Sequence, residues 1–150
     1  MLSTPGRDGV TISAIRNQHP PLVDTFAFSF KTDEVHVVFS GDTAPISALE
    51  NFARGADLLI HEAMLESALP ALLERVGNGS DKLMAHFLRS HTFAHEAAMT
   101  AANAGVKRLA LTHLIPSDDP AYDAKDWQDA CAGHYNGELI VGHDAIRIAL

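Results

Sequence analysis

Val10, Ile12 and Ala14 alternate with polar Thr11 and Ser13, the two-residue period of a half-buried strand, and predict an element over residues 10–16. Pro20 and Pro21 then break the pattern. Residues 25–30 and 35–39 are rich in aromatic and β-branched side chains and are joined by polar Lys31-Thr32-Asp33-Glu34, which predicts an antiparallel pair. From residue 45 the period lengthens: Ile46, Leu49 and Phe52 share one helical face, and Gly55 stops it. Leu58-Leu59-Ile60 predicts a buried strand over 57–61. Residues 63–76 predict a helix with Pro70 as a kink or break, closed by Gly77-Asn78-Gly79. A weaker helix is expected over 80–89. Thr92 is a candidate cap for a helix reaching Ala104, where Gly105 ends it. A strand over 106–112 and a helix over 123–135, with Trp127 in the core, come next. Residues 138–141 and 145–149 predict a closing hairpin through Gly142-His143-Asp144. With residues 1–8 read as a tail or loop, 9–150 form one domain. The alternation of strands and helices after residue 40 predicts an α/β layered fold.

Composition narrows this reading. A 150-residue chain that is 47% hydrophobic can bury a real core. Its net charge of −8, with 11 scattered Lys and Arg, provides no basic patch and argues against a nucleic-acid partner. A lone cysteine, Cys131, forms no internal disulfide and no thiolate cluster, which fits a reducing compartment and a cytoplasmic location. No run of about 18 apolar residues predicts a membrane span. Nine histidines, by contrast, are an excess, and histidine is the commonest metal ligand.

The polar residues that matter follow apolar runs. Asp42 follows Val37-Val38-Phe39-Ser40, His61-Glu62 follows Leu58-Leu59-Ile60, and His113 follows Leu109-Ala110-Leu111-Thr112. Three buried strands thus deliver ionisable groups at their C-terminal ends, where open α/β sheets place ligands. Each residue also has a local reading. Asp42 could cap a turn and helix, His61-Glu62 the next helix, and His91 and His113 could be hydrogen-bonded structural histidines. His36 is expected to pack in a strand or at an edge, and His86, His95, His134 and His143 to lie on the surface.

Phe39-Ser40-Gly41-Asp42-Thr43, Leu59-Ile60-His61-Glu62-Ala63, His91-Thr92 with Glu96-Ala97-Ala98, and Leu111-Thr112-His113-Leu114 resemble, in order and spacing, motifs of the metallo-β-lactamase superfamily. The branch they resemble is that of ribonuclease Z and arylsulfatase-like hydrolases. Asn17-Gln18-His19-Pro20-Pro21 and the segment 138–142 extend the resemblance from about residue 9 to the end. It implies the C-terminal half of an αββα sandwich and a site for two metal ions, zinc foremost, with manganese or iron as alternatives. By the same resemblance Asp42 bridges both metals, His19 binds the first and His113 the second. His91 protonates or hydrogen-bonds the group in transit, with His61, Glu62 and Thr92 supporting it from behind. The implied reaction is hydrolysis of a phosphate or sulfate ester, or an acyl bond, by metal-bound hydroxide.

One departure is large. The superfamily motif His-x-His-x-Asp-His, which supplies two ligands to each metal, is absent from this sequence. The expectation is therefore a fragment of a larger hydrolase, inactive by itself. Each metal would keep only two of the implied ligands, His19 with Asp42 and Asp42 with His113, so weak or no zinc binding is expected of the chain alone. A small anionic ester is the expected substrate, because the short segment 31–34 leaves no room for an RNA-gripping insertion. Transfer-RNA 3′ processing is the first alternative; a non-catalytic binding relative or a structural remnant is the second. An exposed sheet face is expected where the missing half would pack, with a homodimer through that face as one way to cover it.

Overall fold

A computed structural model describes residues 1–5, 9–77 and 80–150. Among these described residues, seven strands form one sheet in the order in which they occur along the chain. They are β1 (Leu2–Pro5), β2 (Thr11–Arg16), β3 (Phe26–Lys31), β4 (His36–Phe39), β5 (Leu58–Met64), β6 (Arg108–Ile115) and β7 (Glu138–Val141). The first four pair antiparallel, among them β3 with β4, the pair that the polar Lys31–Glu34 connection predicts. From β4 onward the pairing is parallel, because helices now carry the chain back between strands. Those helices are α1 (Ser47–Phe52), α2 (Leu69–Val76), α3 (Ser80–Ser90), α4 (Ala94–Ala104) and α5 (Ala124–Cys131).

Strand pleating sorts the residues into two faces. Ala27, Val38, Leu59, Leu109 and Leu111 point to the helical side, where they meet Leu49 of α1, the alanine-rich face of α4, and Trp127 and Cys131 of α5. The small residues Ala94, Ala97, Ala98, Ala101 and Ala104 let α4 approach the sheet closely. The other face carries Phe30, Val37, Phe39, Leu58, Ile60 and Ala110 around an open groove of about 1090 Å³. Phe28, Phe30 and Phe39 remain 38–42% exposed there. Ile12 and Ala14 pair with Phe30 and Phe28, so the apolar side of β2 anticipated from the alternation extends this open face, while Ile15 packs on the core. The α/β half expected from the sequence is thus present, and the face it leaves open is apolar. Among the described residues no helix is long and apolar enough to cross a membrane.

Four local expectations need correction. Leu2–Pro5, read as part of a tail, pairs with β2 as an edge strand, where Pro5 is tolerated; residues 6–8 of that predicted tail lie outside the described residues. Pro70 does not kink a long helix: β5 runs on to Met64, a single 3₁₀ turn follows at Glu66–Ala68, and Pro70 sits in the first turn of α2, where its missing N–H costs no hydrogen bond. Gly77 follows α2 as expected, while Asn78 and Gly79 lie outside the described residues. Thr92 does not cap α4. That helix starts one residue later, with the Phe93 N–H bound by the Glu96 carboxylate at 3.0 Å, and Gly105 ends it in the left-handed conformation. Finally, residues 145–149 form no strand. β7 closes the sheet by pairing parallel to β6, and Ala145, at φ 62°, turns the chain so that Ile146, Ile148 and Leu150 line the open groove. The Arg108 guanidinium secures that segment by donating to the Ala149 carbonyl at 2.6 Å.

Candidate metal centre

The C-terminal ends of β4, β5 and β6 lie side by side, and the loops that leave them are tied together by polar contacts. Asn17 Nδ2 donates to the Ser40 carbonyl at 2.8 Å, and the Gln18 N–H to Thr43 Oγ1 at 3.0 Å. Ala44 N–H returns to the Gln18 carbonyl at 2.7 Å. These bonds clamp the 17–21 segment, with His19, onto the loop that carries Asp42. Gly41 makes the clamp possible. Its φ is +59°, and a Cβ there would stand 2.7 Å from the Phe26 carbonyl oxygen and 2.9 Å from Asn17 Nδ2. Gly41→Ala combines left-handed strain with a backbone clash, so it is expected to cost about 1–3 kcal/mol. Urea unfolding of the two chains checks this; equal midpoints would show that the loop yields freely.

His61, expected as the last residue of a strand over 57–61, and Glu62, expected just past it, both lie inside β5 and are both 1% exposed. The imidazole of His61 donates to the Glu62 carbonyl at 2.7 Å, and burial holds its pKa down at about 4. Burial pushes the Glu62 carboxyl above its usual range, while the hydrogen bond from His91 pulls the other way. That carboxyl accepts the Thr43 N–H at 2.8 Å and faces His91 Nδ1 at 3.1 and 3.2 Å. Thr92 completes the frame: its buried hydroxyl donates to the Thr43 carbonyl at 2.6 Å.

His113 owes its position to a register shift. β5 and β6 pair evenly as far as Glu62 and Thr112, but Ala63 then pairs with Leu114, which leaves His113 as the extra residue. It takes φ 43°, a left-handed value uncommon outside glycine, and such bulges re-aim side chains at functional strand ends. Its ring stacks on His91 at 5.6 Å between centroids and 17° between planes, and its Nδ1 lies 3.5 Å from Asp42 Oδ1.

Among the described residues, two groups of three place potential ligand atoms within 4.8 Å of one another: His19, His86 and His91, and Glu62, His91 and His113. Among the described residues Asp42 belongs to neither group; it pairs with His113. A divalent ion fits this chemistry, since imidazole and carboxylate donors suit zinc, manganese and iron, and Nδ1 of His19 is buried with no hydrogen-bond partner among the described residues. His86 is the residue that sequence reasoning missed. Expected on the surface, it lies half-buried beside His19 and His91, and burial, then the neighbouring His91 and His19, lower its pKa. One signal was available: His86 and Ser90 are four residues apart on one helix face, and His91 follows directly.

No family model matches the chain. It is 34% identical over 143 residues to a ribonuclease Z from Mycobacterium tuberculosis, an alignment covering 95% of this chain and 49% of that protein. It is 31% identical over 144 residues to one from Mycolicibacterium gilvum, with 95% and 47% covered. The chain thus spans about half the length of the curated relatives it matches. Among solved structures, a metallo-β-lactamase-fold protein from Bacillus subtilis superposes with a TM-score of 0.68 at 22% identity, over 94% of this chain and 50% of that one. The short form of human tRNase Z does so with a TM-score of 0.62, also at 22%, over 96% and 44%. These similarities place the chain in the metallo-β-lactamase superfamily. In sequence it is similar to ribonuclease Z, over about half the length of that protein.

This corrects the partner expectation. Nucleic acid was disfavoured on the net charge of −8 and the short β3–β4 connection, yet the curated relatives carry the name ribonuclease Z. Net charge sums the whole surface, whereas a phosphate meets only the few groups near it, so a net charge of −8 does not exclude such a partner.

Proposed function

We propose that this chain carries the acid and part of the metal ligands of a metal-dependent hydrolase that cleaves a phosphodiester, with RNA as the substrate class. The observation that carries the proposal is the convergence of the Asp42–His113 pair and the Glu62-backed His91 at the ends of three parallel strands. The names of the curated relatives support the choice of RNA. Two ions, zinc by preference, would be held by His19 and Asp42 and by Asp42 and His113, and would supply a Lewis acid and water of lowered pKa.

The rest of the chemistry belongs to side chains. Glu62 accepts from His91 Nδ1, which fixes the tautomer and leaves Nε2 facing the site. Held in this orientation, the imidazole is placed to deliver a proton to the leaving oxygen. Thr43 and Thr92 hold Glu62 and the His91 segment in register, so the acid is aimed before the substrate arrives. His61, neutral and buried, packs behind them. Cleavage of a short RNA and of bis-p-nitrophenyl phosphate, by protein with the remainder of the fold supplied, tests the reading. His91→Ala should lower turnover by about 100-fold or more on the RNA. Unchanged turnover would remove His91 from the mechanism, and cleavage of neither phosphodiester would overturn the hydrolase assignment.

A further inference from the structure

The ligand count made from the sequence omitted His86, and the structure changes that count. His19, His86 and His91 come from the loop after β2, from α3 and from the turn before α4, and their rings stand nearly perpendicular to one another. The interplanar angles are 77° for His19–His86, 89° for His19–His91 and 85° for His86–His91, with centroids 5.5, 4.9 and 5.5 Å apart. Three imidazoles on a tetrahedral zinc, with Zn–N near 2.0–2.1 Å, would put ring centroids about 5 Å apart and nitrogens about 3.4 Å apart. The centroid spacings already match. The ligand atoms, within 4.8 Å of one another, need ring rotations on the order of 1 Å to close on an ion.

We infer that His19, His86 and His91 form a mononuclear binding site for zinc or a similar divalent cation, complete within this chain. Metal-binding histidines hydrogen-bond through one ring nitrogen and coordinate through the other. His91 meets that condition through Glu62 at 3.1 Å, and His86 through Ser90 Oγ at 3.2 Å. The Ser90 hydroxyl also donates to the Pro20 carbonyl at 2.9 Å, which ties α3 to the loop bearing His19 and sets the two imidazoles facing. His19 contributes the third donor; its Nδ1, buried without a partner among the described residues, is the kind of lone pair that a cation satisfies. The Glu62 carboxylate behind His91 adds favourable charge. The site shares His19 with the ligands proposed for hydrolysis and His91 with the proposed acid, but it needs neither Asp42 nor His113, so its metal binding is testable without that reading. An ion held here occupies His91, so binding and proton transfer by His91 exclude each other.

Cobalt(II) titration of the 150-residue chain, followed by its visible d–d absorption and checked by zinc competition, tests the site. The expected result is one ion per chain with the intense bands of a four-coordinate site. Affinity should fall by more than about 100-fold in His86→Ala, since even residues behind a ligand are worth 10–100-fold. His113→Ala should bind like the wild type. His86→Asn, which keeps a polar partner for Ser90, replaces the alanine variant if circular dichroism shows that the latter is unfolded. Absence of binding by the wild type, equal binding by the folded His86 variant, or loss of binding in His113→Ala would each overturn the assignment. In the first case the three rings merely pack.

Discussion

Asp42→Ala is expected to reduce phosphodiester hydrolysis by more than about 100-fold and to lower bound metal in parallel, because substitutions even behind a metal ligand cost 10–100-fold. The residue sits where β4 ends, is 43% exposed at its side chain, and faces His113 at 3.5 Å. It has no role in the buried hydrogen-bond frame, so its removal should leave the melting curve near wild type. That separation of effects is what distinguishes a ligand from a turn-capping aspartate, the competing local reading. Turnover and metal content, measured with the remainder of the fold supplied, decide between them. If both stay near wild type while stability falls, Asp42 is a cap.

Glu62→Ala should show the opposite pattern, with a loss of about 3–5 kcal/mol in unfolding free energy of the 150-residue chain itself. The carboxyl is 1% exposed and serves two groups, the Thr43 N–H and the His91 imidazole. Alanine leaves both without their acceptor in a site that water does not reach. Glu62→Gln keeps one acceptor oxygen for Thr43 and should recover about half of the loss. Chemical denaturation of the three proteins is the measurement. An alanine variant within about 1 kcal/mol of wild type would mean that the strand ends rearrange, and that Glu62 does not frame the site.

What was legible in the sequence was local. Apolar runs of strand length ending in Asp42, His61-Glu62 and His113 announced where ionisable groups would meet, because a parallel strand puts its last residues at the ligand edge of the sheet. Helical spacing at Ile46, Leu49 and Phe52, and the burial of Trp127, likewise depend on short-range period alone. The resemblance to the metallo-β-lactamase superfamily rested on the same strand-end motifs, and the sequence and fold similarities agree with it.

Other features depend on partners far along the chain. Leu2–Pro5 is a strand only because β2 offers an edge, and Ile146, Ile148 and Leu150 alternate like a strand but lie over the open apolar face. Thr92 looks like a helix cap in any local window, while its hydroxyl is spent on the Thr43 carbonyl. His113 is aimed by a bulge that only the β5–β6 pairing reveals. Sequence alone determined which residue types stand at strand ends and which faces are apolar, since both follow from backbone periodicity. Tertiary structure decided which of the nine histidines meet: α3 packs so that Ser90 reaches the Pro20 carbonyl, and that contact carries His86 to His19 and His91.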